Sequence, residues 1–399
     1  MAAENGRQDN QDSLPLRNIP TQALVVGTRG APFKLTQIIL DEVRDNEVLV
    51  EVMYSGVCHT DLLVQHGVMP GATYPIILGH EGCGIVRRVG CSVLNPRLRI
   101  GRPVFLSFNT CRHCRFCHEG QLGSCPEMTP VNFTGGRLLG DGSSPARLAA
   151  TGESVRAQFF GQSSFSRLSI VREQSVIAHD GDLEPNTMAA LAPLGCGYNT
   201  GASTVLDVLQ PREGTSLAVA GAGAVGLAAI MAARALGVRR IIAIDVVTAK
   251  LELAKEVGAT HTIDSSSSSI SDIATAIRDI LPEGVDQILE TTGVTTVIER
   301  GVAALSHGGT MALVGVPRPE HHLSLDPLDL LLSCKKIVGV IAGYSNPQES
   351  LPRLIQLHQQ GQLPVEKLMK IYPATQLDQA ITDLKAGRVV KPVLSWNDL

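Results

Sequence analysis

Residues 216–226 read SLAVAGAGAVG, and this stretch decides the fold. Ser216–Ala220 is an unbroken run of small and apolar residues, which predicts a buried parallel strand. Glycines dominate the next six residues, Gly221–Gly226, and the apolar run Leu227–Leu236 behind them predicts a helix. A second predicted strand, Arg240–Ile244, ends in Asp245. Strand, glycine turn, helix and acidic residue in this order are typical of a dinucleotide-binding unit.

Each part of this unit has a physical task. Glycines permit the tight turn and let backbone N–H groups approach a pyrophosphate at the helix N-terminus, while Asp245 accepts hydrogen bonds from the adenosine ribose. Asp245 would also repel a 2′-phosphate, so we expect NAD rather than NADP. Val246 and Val247 offer no arginine for such a phosphate, and Lys250 is the only nearby cation in the sequence. The predicted cofactor-binding residues of this unit are Gly221, Gly223, Val225, Gly226 and Asp245.

The composition excludes several classes of protein. The 399 residues are 44% hydrophobic and 18% charged, which suits a folded chain with a sizeable core. A formal net charge of −4 argues against general nucleic-acid binding through phosphates. The first twenty residues lack an apolar signal segment, so we expect a flexible tail over residues 1–21 and a cytoplasmic protein without membrane attachment. The apolar stretch 217–238 has the length of a bilayer span, but its glycines and Arg234 favour strand, turn and helix.

The pattern after the dinucleotide-binding unit continues as α/β. Strand-like segments Gln287–Glu290 and Thr310–Val316, with helical patterns Ala249–Val257 and Ser271–Ile280, predict a parallel sheet covered by helices. Earlier in the chain, Gly135–Ala157 is rich in Gly, Ser and Ala. It predicts a surface excursion that is either functional or simply tolerated.

Four of the nine cysteines form a close-spaced group, Cys111-x2-Cys114-x2-Cys117-x7-Cys125. Thiolates at these intervals can close a tetrahedral shell around one zinc ion and leave no position for water or substrate, so we predict a structural zinc site. An iron–sulfur cluster is the alternative, because C-x2-C-x2-C occurs in ferredoxins; but ferredoxins place the next Cys-Pro at shorter spacing than this chain does. The odd number of cysteines argues against a disulfide framework.

A second constellation is dispersed along the chain. Cys58 lies in SGVCHTD (55–61), His80 follows the apolar, strand-like segment Tyr74–Leu78, and Cys196 lies in PLGCGY (193–198). Two thiolates and one imidazole would make a catalytic zinc site with a fourth position open. Spacing alone leaves a second interpretation, since an isolated buried cysteine is more often an inert small hydrophobe.

Taken together, the motifs resemble those of the zinc-dependent medium-chain alcohol dehydrogenases from about residue 22 to the end of the chain. They are GVCHTD (56–61), ILGHEGCG (77–84), the four-cysteine group, LGCGYNTG (194–201), VAGAGAVG (219–226), IAID (242–245) and LVGVP (313–317). Their joint occurrence in this order is highly specific. FFGQSSF (159–165) and GRVVKPVL (387–394) look most similar to the aryl- and benzyl-alcohol branch. The 134–158 segment and the serine run indicate a fungal member of a secondary-metabolite pathway.

The resemblance implies an architecture: a GroES-like, β-rich catalytic domain over 22–197, a Rossmann coenzyme domain over 198–341, and a return to the catalytic domain over 342–399. It also implies roles for individual residues. Those at the catalytic zinc are the ligands Cys58, His80 and Cys196, the exchangeable carboxylate Glu81, Asp61 orienting His80, and Thr60, whose hydroxyl passes on the alcohol proton. Those that would contact the coenzyme, besides the glycine turn and Asp245, are His59, Lys250, Val316 and Lys391.

The implied activity is hydride transfer between a primary alcohol and NAD, giving an aldehyde, with two zinc ions per chain. Candidate pocket residues Phe108, Phe133 and Ile341 indicate an apolar substrate, aromatic or allylic. Leu63 departs from the pattern, because many family members have a proton-relaying histidine there. A glutathione-dependent formaldehyde dehydrogenase and a non-enzymatic binding protein of the same fold are the alternatives. The family also implies a homodimer or homotetramer, a small-molecule substrate, and neither nucleic-acid nor membrane partners.

Overall fold

The structure is a computed structural model that describes residues 14–137, 140–266, 273–318 and 320–399. Most of the predicted tail, residues 1–13, lies outside the described residues. The rest of that prediction is wrong at residues 19–21, because the first strand begins at Ile19. The side chain of Ile19 is fully buried, and its packing in the core holds this part of the chain in the sheet.

The strands of the described residues follow one another along the whole chain. They are β1 (Ile19–Val26), β2 (Phe33–Leu40), β3 (Glu47–Gly56), β4 (Ile76–Ile77), β5 (Gly82–Val89), β6 (Pro103–Leu106), β7 (Ala146–Leu148), β8 (Ser154–Val155), β9 (Leu168–Arg172), β10 (Val176–Ala178), β11 (Ser216–Ala220), β12 (Arg240–Asp245), β13 (His261–Asp264), β14 (Val285–Glu290), β15 (Leu305–Leu313), β16 (Lys336–Gly339), β17 (Met369–Pro373) and β18 (Lys391–Ser395).

The helices are concentrated in the second half. They are α1 (His59–Gln65), α2 (Arg115–His118), α3 (Met128–Phe133), α4 (Pro185–Leu191), α5 (Gly197–Ser203), α6 (Ala224–Ala235), α7 (Thr248–Val257), α8 (Ile273–Ile280), α9 (Thr295–Ala304), α10 (Pro327–Leu332), α11 (Pro347–Gln359) and α12 (Leu377–Lys385). None of these helices is both long and apolar enough to cross a membrane. The bilayer-length stretch 217–238 instead forms β11, the glycine turn and α6, as predicted.

Six parallel strands form the sheet that the glycine motif predicts, in the order β13-β12-β11-β14-β15-β16. Alternate residues of β11 enter two different cores: Leu217 packs with α6 and α7, and Ala218 packs with α8 and α9. Helices therefore cover both faces, which is the doubly wound arrangement. The chain order of the sheet reverses between β11 and β14, and ligands of such sheets bind at the carboxyl ends of the strands there.

The predicted bounds of two elements need correction. Helix α6 begins at Ala224 rather than Leu227, because the glycine turn is short enough for the Leu227 N–H to donate to Gly223 O at 2.8 Å. Strand β15 ends at Leu313 rather than at residue 316, because the N–H groups of the next two residues donate to Glu290 O and the backbone leaves the sheet. Helix α8 is described over Ile273–Ile280 and agrees with the prediction there, while residues 271–272 of the predicted helix lie outside the described residues.

Two further sheets surround the candidate metal residues. One has the order β4-β1-β2-β7-β8; the other has the order β10-β6-β5-β3-β18-β17, with β9 paired to β3. Strand β18 pairs antiparallel with β3, so the C-terminal segment returns to the sheet that the N-terminal half builds. The segment Tyr74–Leu78, expected to be a strand, contributes only Ile76 and Ile77 to a short pairing with β1.

The 135–157 segment is not a simple surface excursion, because it contributes strands to a sheet and a buried ion pair. Its strand β7 extends the first sheet beside β2, and β8 pairs with β7. The Arg137 side chain is fully buried and donates through Nε and Nη2 to the buried Glu47 carboxylate, at 2.9 and 3.0 Å. A second, exposed pair joins Arg44 to Asp141. Residues 138–139 of this segment lie outside the described residues.

Candidate metal centres and coenzyme cleft

The predicted catalytic zinc ligands, which are far apart in the sequence, lie close together in the structure. Cys58, His80, Glu81 and Cys196 offer ligand atoms that all lie within 4.8 Å of one another. Cys58 is the N-cap residue of α1, His80 and Glu81 lie directly before β5, and Cys196 lies directly before α5. The amino ends of α1, β5 and α5 thus bring two thiols, an imidazole and a carboxylate close together.

Asp61 fixes the positions of the candidate ligand residues through its two carboxylate oxygens. Its Oδ1 accepts from His80 Nδ1 at 3.0 Å and from the Gly79 N–H at 3.0 Å, and its Oδ2 accepts from the Cys58 N–H at 3.0 Å. The Asp61 and His80 side chains are fully buried. With Nδ1 occupied, His80 Nε2 is left buried and, among the residues that the structure describes, without a hydrogen-bond partner. A buried nitrogen without a partner is costly unless something binds it, so the ring is set up for a metal ion.

Charge around Cys58 favours a thiolate. The neighbouring Cys196 thiol lowers the pKa of Cys58 most, against desolvation, and His80 lowers it further. Burial lowers the pKa of His80, but the Asp61 carboxylate and Cys58 raise it more. Thiolates are the form in which cysteine binds zinc. The donor set and the partnerless Nε2 therefore fit a zinc ion.

Glu81 has a buried partner that sequence reasoning did not foresee. Lys391 Nζ donates to the two carboxylate oxygens of Glu81 at 2.8 and 3.0 Å, and to Val57 O at 3.2 Å. Burial lowers the pKa of Lys391, while the Glu81 carboxylate raises it more, so the lysine is charged. Glu81 and Lys391 are 310 residues apart, and no local pattern links them. The predicted contact of Lys391 with the coenzyme stays a prediction.

The four-cysteine group also closes in space. The Sγ atoms of Cys111, Cys114, Cys117 and Cys125 form a second cluster within 4.8 Å. Desolvation raises the pKa of Cys111, but the backbone N–H groups of His113 and Cys114 lower it more, to about 6. Four thiols at this distance, one of them with a lowered pKa, fit a tetrahedral zinc shell with no open position.

The glycine turn has the form that its motif predicts. Gly221 has a φ of +94°, and a Cβ on Gly226 would lie 1.9 Å from Gly221 O, so both positions require glycine. A Cβ on Gly223 would meet nothing within 4 Å, which leaves its backbone open to a ligand at the N-terminus of α6. Asp245 Oδ2 accepts a hydrogen bond from the Ala222 N–H at 2.7 Å, and this bond holds the Asp245 side chain next to the turn. This arrangement fits a dinucleotide.

A cavity of about 530 Å³ lies beside the turn, and Gly221 and Asp245 line it. Lys250, the cation expected from the sequence, does not; it lines a separate cavity with Lys367 and Arg388. A cation that is distant in the sequence lines this cavity instead: Arg300 of α9. Sequence spacing could not show this, since α9 reaches the cavity only through the order of the sheet.

The remaining predicted residues lie around the two centres. Thr60 Oγ1 is 3.7 Å from Cys58 Sγ, His59 is exposed at the start of α1, and Val316 is exposed. Leu63 is half-buried one turn along the same helix. Their contacts with substrate or coenzyme stay predictions.

Aromatic rings cover one side of the catalytic cluster. The Phe160 ring stacks on the His80 imidazole at 4.6 Å and 29°, and Phe159 contacts the same imidazole edge-on at 5.5 Å. Phe133 packs edge-on against both phenylalanines. Phe160 adopts a φ of +51°, which is uncommon for a bulky residue and turns its ring toward His80. Of the predicted pocket residues, Phe108 and Phe133 are buried near Phe160, and Ile341 is exposed.

Comparisons with known proteins agree with this geometry. Residues 44–177 match the alcohol dehydrogenase GroES-like domain, and residues 224–360 match the zinc-binding dehydrogenase family. Geraniol dehydrogenase of Castellaniella defragrans is 36% identical over 376 residues, covering 94% of this chain and 98% of its own length.

Two solved structures are similar over nearly their whole length. The alcohol dehydrogenase zinc-binding domain protein of Burkholderia ambifaria has 41% identity and a TM-score of 0.89, over 94% of this chain and 98% of its own. Benzyl alcohol dehydrogenase of Acinetobacter calcoaceticus has 36% identity and a TM-score of 0.87, over 94% and 99%.

This chain belongs to the zinc-dependent medium-chain alcohol dehydrogenase family. It is a zinc-containing oxidoreductase that acts on small-molecule alcohols or aldehydes with zinc and NAD(P) as cofactors.

Proposed function

We propose that the enzyme interconverts a primary aromatic or allylic alcohol and its aldehyde, with NAD(H) as coenzyme. One observation carries the proposal: the cluster of Cys58, His80 and Cys196, with its partnerless imidazole nitrogen, is flanked by the Phe160 ring. The similarity to proteins named geraniol dehydrogenase and benzyl alcohol dehydrogenase supports the substrate class.

Cys58, His80 and Cys196 would hold the catalytic zinc, with Glu81 behind them as an exchangeable carboxylate. Bound there, zinc supplies Lewis acidity toward the alcohol or aldehyde oxygen. Asp61 keeps His80 in the tautomer whose Nε2 is free to bind the metal. The Cys111, Cys114, Cys117 and Cys125 cluster would hold a second, structural zinc.

Thr60 is the residue that we assign to the alcohol proton. Its hydroxyl lies beside Cys58 and can both accept and donate a proton. Leu63 on the same helix cannot accept one, so we infer that the proton leaves to solvent rather than to a side chain at that position.

The aromatic wall supports the substrate class. Phe160 is half-buried, and Phe133 and Phe159 hold its ring against His80. A planar ring or an allylic double bond packs on such rings in offset or edge-on geometry, which saturated chains cannot match. Substrate contact would thus lie next to the zinc ligands.

We assign residues 19–197 with 342–399 to the catalytic domain and 198–341 to the coenzyme domain. We further infer a homodimer or homotetramer. Leu328, Leu331 and Leu332 of α10 are 59%, 72% and 67% exposed. Three residues separate the end of helix α10 from β16, the edge strand of the parallel sheet. Exposed leucines next to a strand edge favour pairing with a second copy.

A kinetic screen of purified enzyme tests the function. Benzyl and cinnamyl alcohols are compared with saturated alcohols of equal carbon number, each with NAD and with NADP. The proposal expects higher kcat/KM for the unsaturated alcohols and for NAD, and it fails if saturated alcohols are preferred. A formaldehyde arm with and without glutathione covers the alternative; oxidation that requires glutathione would establish that alternative instead.

A further inference from the structure

The cavity beside the glycine turn contains a charged residue that has no assigned role. Arg300 lines it from α9, while Asp245 lines it from the carboxyl end of β12. Arg300 is exposed, and within the described part of the chain it makes no ion pair or hydrogen bond. Its side chain is therefore available to a ligand.

The helix keeps Arg300 on the cavity side. Thr296 and Val297 also line the cavity, and they precede Arg300 by four and three positions, which places all three on one face of α9. Ile298, on the other face, is buried in the core below the sheet. Rotation of the helix away from the cavity would expose that core residue.

The rest of the cavity wall is mostly apolar. Ile244 and Val246 line it from β12 and the turn after it, and Ile273, Val294 and Val297 line it from the opposite segments of the chain. Asp245 cannot swing freely, because its two oxygens accept the Ala222 N–H at 2.7 Å and the Val247 N–H at 2.9 Å. The site thus combines a fixed carboxylate, apolar walls and one guanidinium.

We propose that Arg300 is a coenzyme-positioning residue whose guanidinium stacks on the adenine ring. This inference rests on the proposed use of NAD by the same cleft. A flat heterocycle fits between apolar walls, and a planar guanidinium stacks on such a ring without giving up hydration as an ammonium would. A 2′-phosphate is the competing ligand for a guanidinium. It would face the fixed Asp245 carboxylate, with Arg300 as the only cation among the described residues that line the cavity.

Calorimetric titration of the full-length, zinc-loaded protein tests the proposal without turnover. The probes are 5′-AMP and 2′,5′-ADP, which share adenine and differ in the 2′-phosphate. Arg300→Ala should weaken both about two- to fivefold and leave the ratio of their affinities unchanged. The matched control is Arg239→Ala: Arg239 is 81% exposed and lies at the amino end of β12, at the far edge of the sheet.

Each other outcome overturns the proposal. A loss confined to 2′,5′-ADP would make Arg300 a phosphate ligand, and unchanged affinities would leave it no role. An equal loss of affinity in Arg239→Ala would show that the effect comes from the change in net charge rather than from stacking by Arg300. The coenzyme preference is tested separately by kcat/KM with NAD and NADP. Preference for NADP would contradict the role of Asp245 but leave the 5′-AMP result standing, because 5′-AMP has no 2′-phosphate.

Discussion

At the scale of single residues, the two zinc clusters differ in what their loss should do. The cluster at Cys196 would give zinc three protein ligands with a carboxylate beside them, whereas the four-cysteine cluster would leave no open position. A closed shell contributes its binding free energy to folding, and an open one contributes mainly to chemistry.

We expect the folded enzyme to bind two zinc ions per chain. Cys196→Ser should abolish turnover, retain the structural zinc and melt near the temperature of the unaltered enzyme. Cys114→Ser, the matched change at the other cluster, should lower the melting temperature and lose the structural zinc. Elemental analysis and calorimetry measure both. One zinc or fewer in the unaltered, fully folded enzyme would contradict the two-site assignment.

The proton path gives a second prediction at this scale. Thr60→Ala should lower kcat for alcohol oxidation about 10²- to 10⁴-fold, because the group that accepts the proton is removed. Thr60→Ser keeps a hydroxyl and is the control that should retain most activity. Leu63→His should raise kcat mainly below neutral pH, since an imidazole with a pKa near 6.5 can accept a proton where hydroxide is scarce. A pH profile unchanged by Leu63→His would argue against this account.

At the scale of elements, three ion pairs hold the 135–157 segment: Arg137 pairs with the buried Glu47 and with the partly exposed Asp41, and Asp141 pairs with Arg44 at the surface. Arg137 and Glu47 are each about 1% exposed, while Arg44 and Asp141 are 34% and 58% exposed. Gln158 also donates to Glu47 at 3.0 Å. The buried pair therefore ties the segment to β3, which carries the chain toward Cys58.

We expect Arg137→Met to destabilise the enzyme by about 3–5 kcal/mol, because it leaves the Glu47 carboxylate buried without its cation. Arg44→Met removes the exposed pair of the same segment and should cost about 1 kcal/mol or less. Urea denaturation measures both. Adding Glu47→Met to Arg137→Met should recover part of the loss; a double variant as unstable as the single one would show that the ion pair is not the cause.

At the scale of the whole molecule, our proposal is that the edge of the parallel sheet forms the interface between copies of the chain. Leu331→Glu should shift the enzyme toward monomers in light scattering, because a charge would be buried between two copies. Leu94→Glu is the control, since Leu94 is 87% exposed and lies away from the parallel sheet. The fold should survive both changes because both side chains face solvent. An unaltered enzyme that is already monomeric would rule out this interface.

The sequence by itself determined the features that depend on short spacing. The strand, glycine turn and helix at 216–235, the position of Asp245, and the four-cysteine group each lie within a few turns of chain, where backbone geometry fixes neighbours. The resemblance added the convergence of Cys58, His80 and Cys196, which spacing alone left open between a metal site and inert thiols.

Only the tertiary structure decided which distant residues meet. Lys391 reaches Glu81 because β18 pairs with β3, and Arg300 reaches the cavity of Asp245 because β14 lies next to β11. The burial of Arg137 on Glu47 likewise depends on how the 135–157 segment folds back. These contacts join residues that are far apart in the chain, and the free energy of each contact depends on its burial and on the order of the strands. Neither the burial nor the strand order can be read from a local pattern of side chains.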